Sequence, residues 1–228
     1  FEDLEFKRLK ENYFKIFNKQ ENDPLPNNEL NFEIDKKNEE NYLSQKLESE
    51  KGIRILIDKV LSSKSVSIDY LISESNSYIS FCLSTKISYY VNFNLEDITY
   101  KLNLFKEIFE SKILKIIYDH KHFLKILKAN KINIDDNFFD IKIANYLIDS
   151  SRRDDLESIL KININAEISE NQIHKRVSYI KKTYKLLFDS LKSNGLIDLF
   201  LQIEMPLSRI LMEMEFEGVK LDKSLIKK

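Results

Sequence analysis

The sequence predicts an α/β domain built on a mixed sheet whose antiparallel part comes first. Val66–Ile72, Tyr78–Ser84 and Ile87–Phe93 are short runs rich in Ile, Tyr, Val and Phe, separated by Asn/Ser and Thr-Lys turns. A helical stretch, Thr99–Glu110, follows them, and then a short strand, Lys115–Tyr118, and a helix, His120–Ala129. Three strands, helix, strand, helices is the order of a mixed sheet flanked by helices.

The remaining elements fall on either side of this core. Ile53–Leu61 reads as a helix ahead of the strands, and a Ser-rich turn joins it to them. Beyond Asp135–Asn137, Phe139–Ile148, Leu156–Leu160 and Ile173–Ser193 read as further helices. Ile203–Asp222 carries the clearest marks. Pro206 suits a first helical turn, and Leu207, Ile210, Leu211 and Met214 form one apolar stripe. Gly218 supplies a stop, and Asp222 is placed to cap another helix after the extended piece Val219–Leu221. At the other end, Phe1–Phe17 reads as a helix. Asn18–Gly52 is polar, contains Pro24 and Pro26, and lacks a sustained period; it reads as a partly disordered linker with Leu30–Ile34 as its one strand candidate.

At 228 residues the chain holds one sizeable domain with flanks, or two small domains. No run approaches the roughly 18 apolar residues of a membrane span, and no signal-peptide pattern opens the chain. The single cysteine, Cys82, excludes an internal disulfide and sits in an apolar run as a small core residue. A net charge of −1 argues against a domain that holds nucleic acid by bulk electrostatics. The chain begins with Phe1 and is expected to be a piece of a longer protein.

Wording adds what pattern does not. Glu204-x-Pro206-Leu207, Ile210-Leu211 and Met214-Glu215-x-x-Gly218-Val219-x-Leu221-Asp222 resemble the opening of the polymerase domain in family A bacterial DNA polymerases. KIIYDHKHFLKILKANKINI (Lys115–Ile134), FDIKIANYLIDSS (Phe139–Ser151) and DDLESIL (Asp154–Leu160) resemble the exonuclease domain that precedes it. FEDLEFKRL at the start resembles the end of the family's 5′-nuclease region. The resemblance implies a ribonuclease-H-like, exonuclease-type sheet with a C-terminal helical extension. It divides the chain into residues 1–17, the end of the nuclease region; 18–52, linker; 53–195, exonuclease-like domain; and 196–228, start of the polymerase thumb.

The family's proofreading chemistry uses two divalent metals held by four carboxylates, with a Tyr that positions the attacking water. The matching positions here are Asp69 and Leu71 for the Asp-x-Glu pair, Phe123 for the second-motif Asp, and Arg176 and Lys182 for the third-motif Tyr and Asp. Only Asp69 keeps a carboxylate, and two cations stand where Mg²⁺ needs negative charge. The expectation is a domain without catalytic residues or a metal. Mg²⁺ is implied only for the parent polymerase, which would join dNTPs to a primer in replication or repair. DNA is then a partner through that parent, along with the rest of the polymerase chain. The resemblance further implies a cytoplasmic, nucleoid-associated protein with no membrane contact, and a monomeric fragment that extends no primer. An active exonuclease with rearranged ligands, or a stand-alone interaction module, are the alternatives.

Other candidates are weaker. His120 and His122 are two residues apart on a helix and read as surface side chains. Asp154, Asp155 and Glu157 read as helix-start acids. Lys175, Arg176, Lys181, Lys182 and Lys185, interleaved with Tyr179 and Tyr184, form a basic helix of the kind that can contact a single strand.

Overall fold

The computed structural model describes residues 42–74, 77–168 and 174–219. The chain divides into two units, Phe1–Lys37 and Asn38–Lys228, and the described residues all belong to the second. The helix expected at Phe1–Phe17, the strand at Leu30–Ile34 and the cap at Asp222 lie outside them.

Six strands among the described residues form one sheet: β1 (Leu43–Lys46), β2 (Ser65–Leu71), β3 (Ser77–Ser84), β4 (Ile87–Phe93), β5 (Leu114–Ile117) and β6 (Phe138–Asp140), in the order β1-β4-β3-β2-β5-β6. β2, β3 and β4 run antiparallel, with Asp69 opposite Ser80 and Tyr78 opposite Asn92. β5 joins β2 in parallel, β6 joins β5 in parallel, and β1 adds a parallel edge to β4. Every residue from Ser77 to Cys82 is buried, because β3 is central and covered on both faces.

The helices are α1 (Glu50–Leu61), α2 (Ile98–Leu104), α3 (Lys106–Glu110), α4 (His120–Ala129), α5 (Ile141–Ile148), α6 (Leu156–Ile164), α7 (Arg176–Ser193), α8 (Ile197–Leu199) and α9 (Met205–Glu217). α1 buries Ile53, Leu56, Ile57 and Val60, an i, i+3, i+4, i+7 stripe, behind an N-cap in which Ser49 accepts from the Gly52 amide. α7 lies across one face of the sheet, where Arg176 meets Asp69 and Lys181 meets Ser65. Alternation along β2 turns Tyr70 to the other face. There its ring packs on Phe123 of α4, which meets Phe109 of α3 edge-on. One continuous apolar core joins both layers.

The mixed α/β sheet flanked by helices matches the expected class, and four local expectations need correction. Leu43–Lys46 and the first turn of α1, placed inside the linker by their polar composition, are structured, and Leu47 between them enters the core. The helix expected at Thr99–Glu110 breaks at Phe105, whose buried ring packs at a tilt on Phe81, 4.7 Å between centroids. Phe139–Asp140 belong to β6, not to a helix; Phe138–Asp140 pair with Lys115–Ile117 before Asp140 caps α5. Finally, Pro206 does fall in the first turn of α9, but that turn is not where the helical backbone starts. Helical backbone runs from Ile197, and Phe200–Glu204 widens into a π turn before α9. A proline inside a helix has no N–H to donate and crowds the preceding turn, which the wider turn relieves.

Candidate functional site

The fold brings one pair of the expected site residues together. Asp69, on β2, is 3% exposed. Its Oδ1 accepts from Arg176 Nη2 at 3.1 Å, and its Oδ2 accepts from the Tyr78 hydroxyl at 3.1 Å across the β2–β3 pairing. Ser80 Oγ donates to the Asp69 carbonyl at 3.3 Å. Burial pushes the Asp69 carboxyl up from its ordinary value, and the Arg176 charge and the Tyr78 hydrogen bond act against that rise. Burial and the neighbouring Asp69 raise the Tyr78 phenol in turn. His174, next to the start of α7, stacks on Tyr90 with 3.6 Å between ring centroids and meets Tyr78 edge-on. Asp69 is therefore enclosed by an arginine, a tyrosine and aromatic neighbours.

The other matched positions are arranged differently. Leu71 shares the Asp69 side of β2 and offers no lone pair. Phe123 lies on the opposite face, fully packed against Tyr70 and Phe109. Lys182 is exposed, six residues along α7 from Arg176, which is about 9 Å of helix. Arg176, not Lys182, is thus the α7 residue that faces Asp69.

This donor set does not fit a pair of Mg²⁺ ions. Mg²⁺ asks for oxygen ligands in octahedral geometry. Here the one carboxylate has a guanidinium on one oxygen and a phenol on the other. Among the described residues, no group of three or more His, Cys, Asp or Glu side chains is placed to hold a metal ion.

His120 corrects the expectation of two surface histidines, because it is buried. Its Nδ1 sits 3.0 Å from Asp140 Oδ2, and the same carboxylate accepts the amides of Asp119, His120 and Lys142. Asp140 therefore ties the start of α4 to the start of α5. Ser208 Oγ lies 3.5 Å from that same His120 nitrogen. A proton relay needs the two partners on opposite ring nitrogens, so Ser208, His120 and Asp140 do not form a catalytic triad. His122 is exposed, as expected, and meets the Tyr70 hydroxyl through Nδ1 at 2.8 Å. Asp155 caps α6, accepting from the Ser158 amide, while Asp154 pairs with Lys142 at 3.4 Å. Cys82 is fully buried, and burial pushes its thiol up to about 12.

The basic helix also divides. Arg176 is committed to Asp69, and Lys175 lies over the rings of Tyr42 and Tyr179. Lys181, Lys182 and Lys185 gather about one and a half to two and a half turns further along α7, beside the start of β2. Sequence reasoning missed Tyr78 and Asp140. Tyr78 was recognisable only as a strand residue, and Asp140 only as part of FD in a family pattern.

Sheet order, flanking helices and the enclosed acid on the first strand of the meander define an exonuclease-type, ribonuclease-H-like fold. Among solved structures, Escherichia coli RNase D, an exoribonuclease involved in structured RNA processing, superposes with a TM-score of 0.59 at 13% identity, over 79% of this chain and 52% of that one. The POL domain of Pol1 from M. smegmatis, in complex with DNA primer-template and dNTP, gives 0.66 at 15% identity, over 81% of this chain and 34% of that chain. In sequence, the chain is similar to bacterial DNA polymerases I. It is 26% identical over 203 residues to the Borreliella burgdorferi protein, and 32% identical over 127 residues to that of Caldicellulosiruptor bescii. These matches cover 75% and 54% of this chain but 22% and 15% of the relatives, so the chain spans about a fifth of their length. No family model matches the chain. Among the described residues, no helix is long and apolar enough to cross a membrane.

Proposed function

We propose that this chain supplies a non-catalytic, exonuclease-like structural module to a protein of the DNA polymerase I type. The observation that carries the reading is the Asp69–Arg176 pair. An arginine at 3.1 Å occupies the carboxylate that a metal would need, and Leu71 and Phe123 bring apolar surface to the other matched positions. The module's work is then to link and space the parts of the longer protein. Nucleotide transfer from dNTPs to a primer 3′ end with Mg²⁺, in replication or repair in the cytoplasm, belongs to that longer protein, with DNA as its partner. Similarity to bacterial DNA polymerases I over 54–75% of the chain supports this assignment.

The test is direct. End-labelled single-stranded DNA incubated with the chain and Mg²⁺ or Mn²⁺ should keep its length. Metal-dependent shortening that disappears in Asp69→Ala would overturn the proposal and restore an active exonuclease with rearranged ligands.

A further inference from the structure

A concave site lies about 13 Å from Asp69, at the opposite end of β2, by the rise of four strand residues. It is a pocket of about 660 Å³ whose rim carries three lysines of α7: Lys181, Lys182 and Lys185. Ser65, at the start of β2, and Ser84 and Thr85, at the end of β3 and in its turn, line the facing side with hydroxyls. No acidic side chain lines it among the described residues. Lys181 is the fixed member. Its ammonium donates to Ser65 Oγ at 2.7 Å and to the Ser65 carbonyl at 3.3 Å, both neutral acceptors. Partial burial lowers its proton affinity, which marks a charge held without a counter-ion.

From this we infer that the pocket binds a phosphate group carried on a nucleotide unit. Three lysines and three hydroxyl-bearing residues line one concavity beside Ile164, Tyr184 and Leu186, a set that offers donors and positive charge to a phosphate and apolar surface to a sugar or base. The volume exceeds that of a bare anion and falls within the roughly 300–1,000 Å³ range of small-molecule pockets, so part of the sugar or base has room beside it. Two sources offer this chemistry: a single strand of nucleic acid, and a free mononucleotide. The inference does not depend on whether exonuclease chemistry survives at Asp69. It narrows the basic helix from five residues to the three that line the pocket, since Arg176 is paired with Asp69 and neither it nor Lys175 lines that concavity.

The experiment uses the full 228-residue chain and a fluorescent thymidine oligonucleotide, read by polarisation at about 50 mM salt, with dTMP as competitor. Calorimetric titration with dTMP alone reads the free nucleotide directly. Lys182→Glu with Lys185→Glu is compared with Lys51→Glu with Lys112→Glu, which makes the same change in net charge at exposed positions of other elements. Binding of the oligonucleotide or of dTMP should weaken about tenfold or more in the first pair and stay within about twofold in the second. Displacement of the strand by dTMP assigns the free nucleotide; a strand that resists displacement assigns the backbone phosphate. Absence of binding by both probes, or less than about a fivefold difference between the two variants, overturns the inference. All four substituted lysines are exposed, so unchanged thermal melting is expected and separates loss of binding from loss of fold.

Discussion

Removing the Arg176 guanidinium leaves the Asp69 carboxyl buried with only the Tyr78 hydroxyl and backbone to satisfy it. Breaking one side of a buried pair costs more than the pair contributes, so Arg176→Met should lose about 3 kcal/mol at neutral pH in chemical denaturation. Replacing both partners, Asp69→Leu with Arg176→Met, should return stability to within about 1 kcal/mol of the parent, because no unpaired charge remains. The pH dependence has a definite sign. Burial already raises Asp69, and loss of the opposing cation raises it further. In the window between its unfolded and folded values, the folded state then holds a proton that the unfolded state releases. Arg176→Met should therefore be most stable in acid and weaken as pH rises through the folded-state value. A variant that instead gains stability with rising pH would contradict the enclosure of Asp69. Sequence could show Asp69 and Arg176 only as separate positions in two family motifs. They are 107 residues apart, and a contact of that separation becomes visible only when α7 is laid across β2.

At the scale of elements, α9 leaves its apolar stripe uncovered. Met205, Ser208 and Met212 face the domain, while Leu207, Ile210, Leu211 and Met214 are 41–63% exposed. Polar contacts hold the inner side. Glu215 reaches Lys121 at 2.8 Å and also Lys125, Glu217 approaches Lys128, and Arg209 pairs with Asp136. Two substitutions distinguish this seating from one with the stripe turned inward. Met212→Ala should cost about 2 kcal/mol by leaving a cavity against α4, whereas Ile210→Lys with Met214→Lys should change stability by no more than about 0.5 kcal/mol. The opposite ranking in thermal or denaturant melts would rotate the helix. A helical period reveals that a stripe exists but not which neighbour covers it. β2, β3 and β4 were legible because their branched and aromatic residues suit a covered sheet on their own terms. β6 was not, because three residues ending in a helix cap give no period. β1, Leu43-Ser44-Gln45-Lys46, is exposed along its length and carries no apolar alternation.

For the whole molecule, β1 is the element that closes the sheet, and its removal tests how the domain is bounded. Its parallel pairing covers one edge of β4, with Leu43 N donating to the Lys86 carbonyl at 3.0 Å and Leu47 N to the Tyr90 carbonyl at 2.8 Å. The Tyr42 hydroxyl ties this edge to α7 by donating to the His174 carbonyl at 2.8 Å. Leu47, 7% exposed, then carries the chain into the core ahead of the Ser49 cap of α1. A chain beginning at Asn38 keeps the second compact unit and should melt with the full-length protein. A chain beginning at Glu48 loses Leu47, whose burial contributes about 2 kcal/mol, together with the strand pairing. It also bares the β4 edge, a row of unpaired amides and carbonyls that invites another chain to add on. Lower melting and concentration-dependent growth in light scattering are therefore expected for the Glu48 chain alone. If both shortened chains melt alike and stay the same size, β1 is an appended strand, and the boundary at residue 53 read from composition describes the domain better than the sheet does.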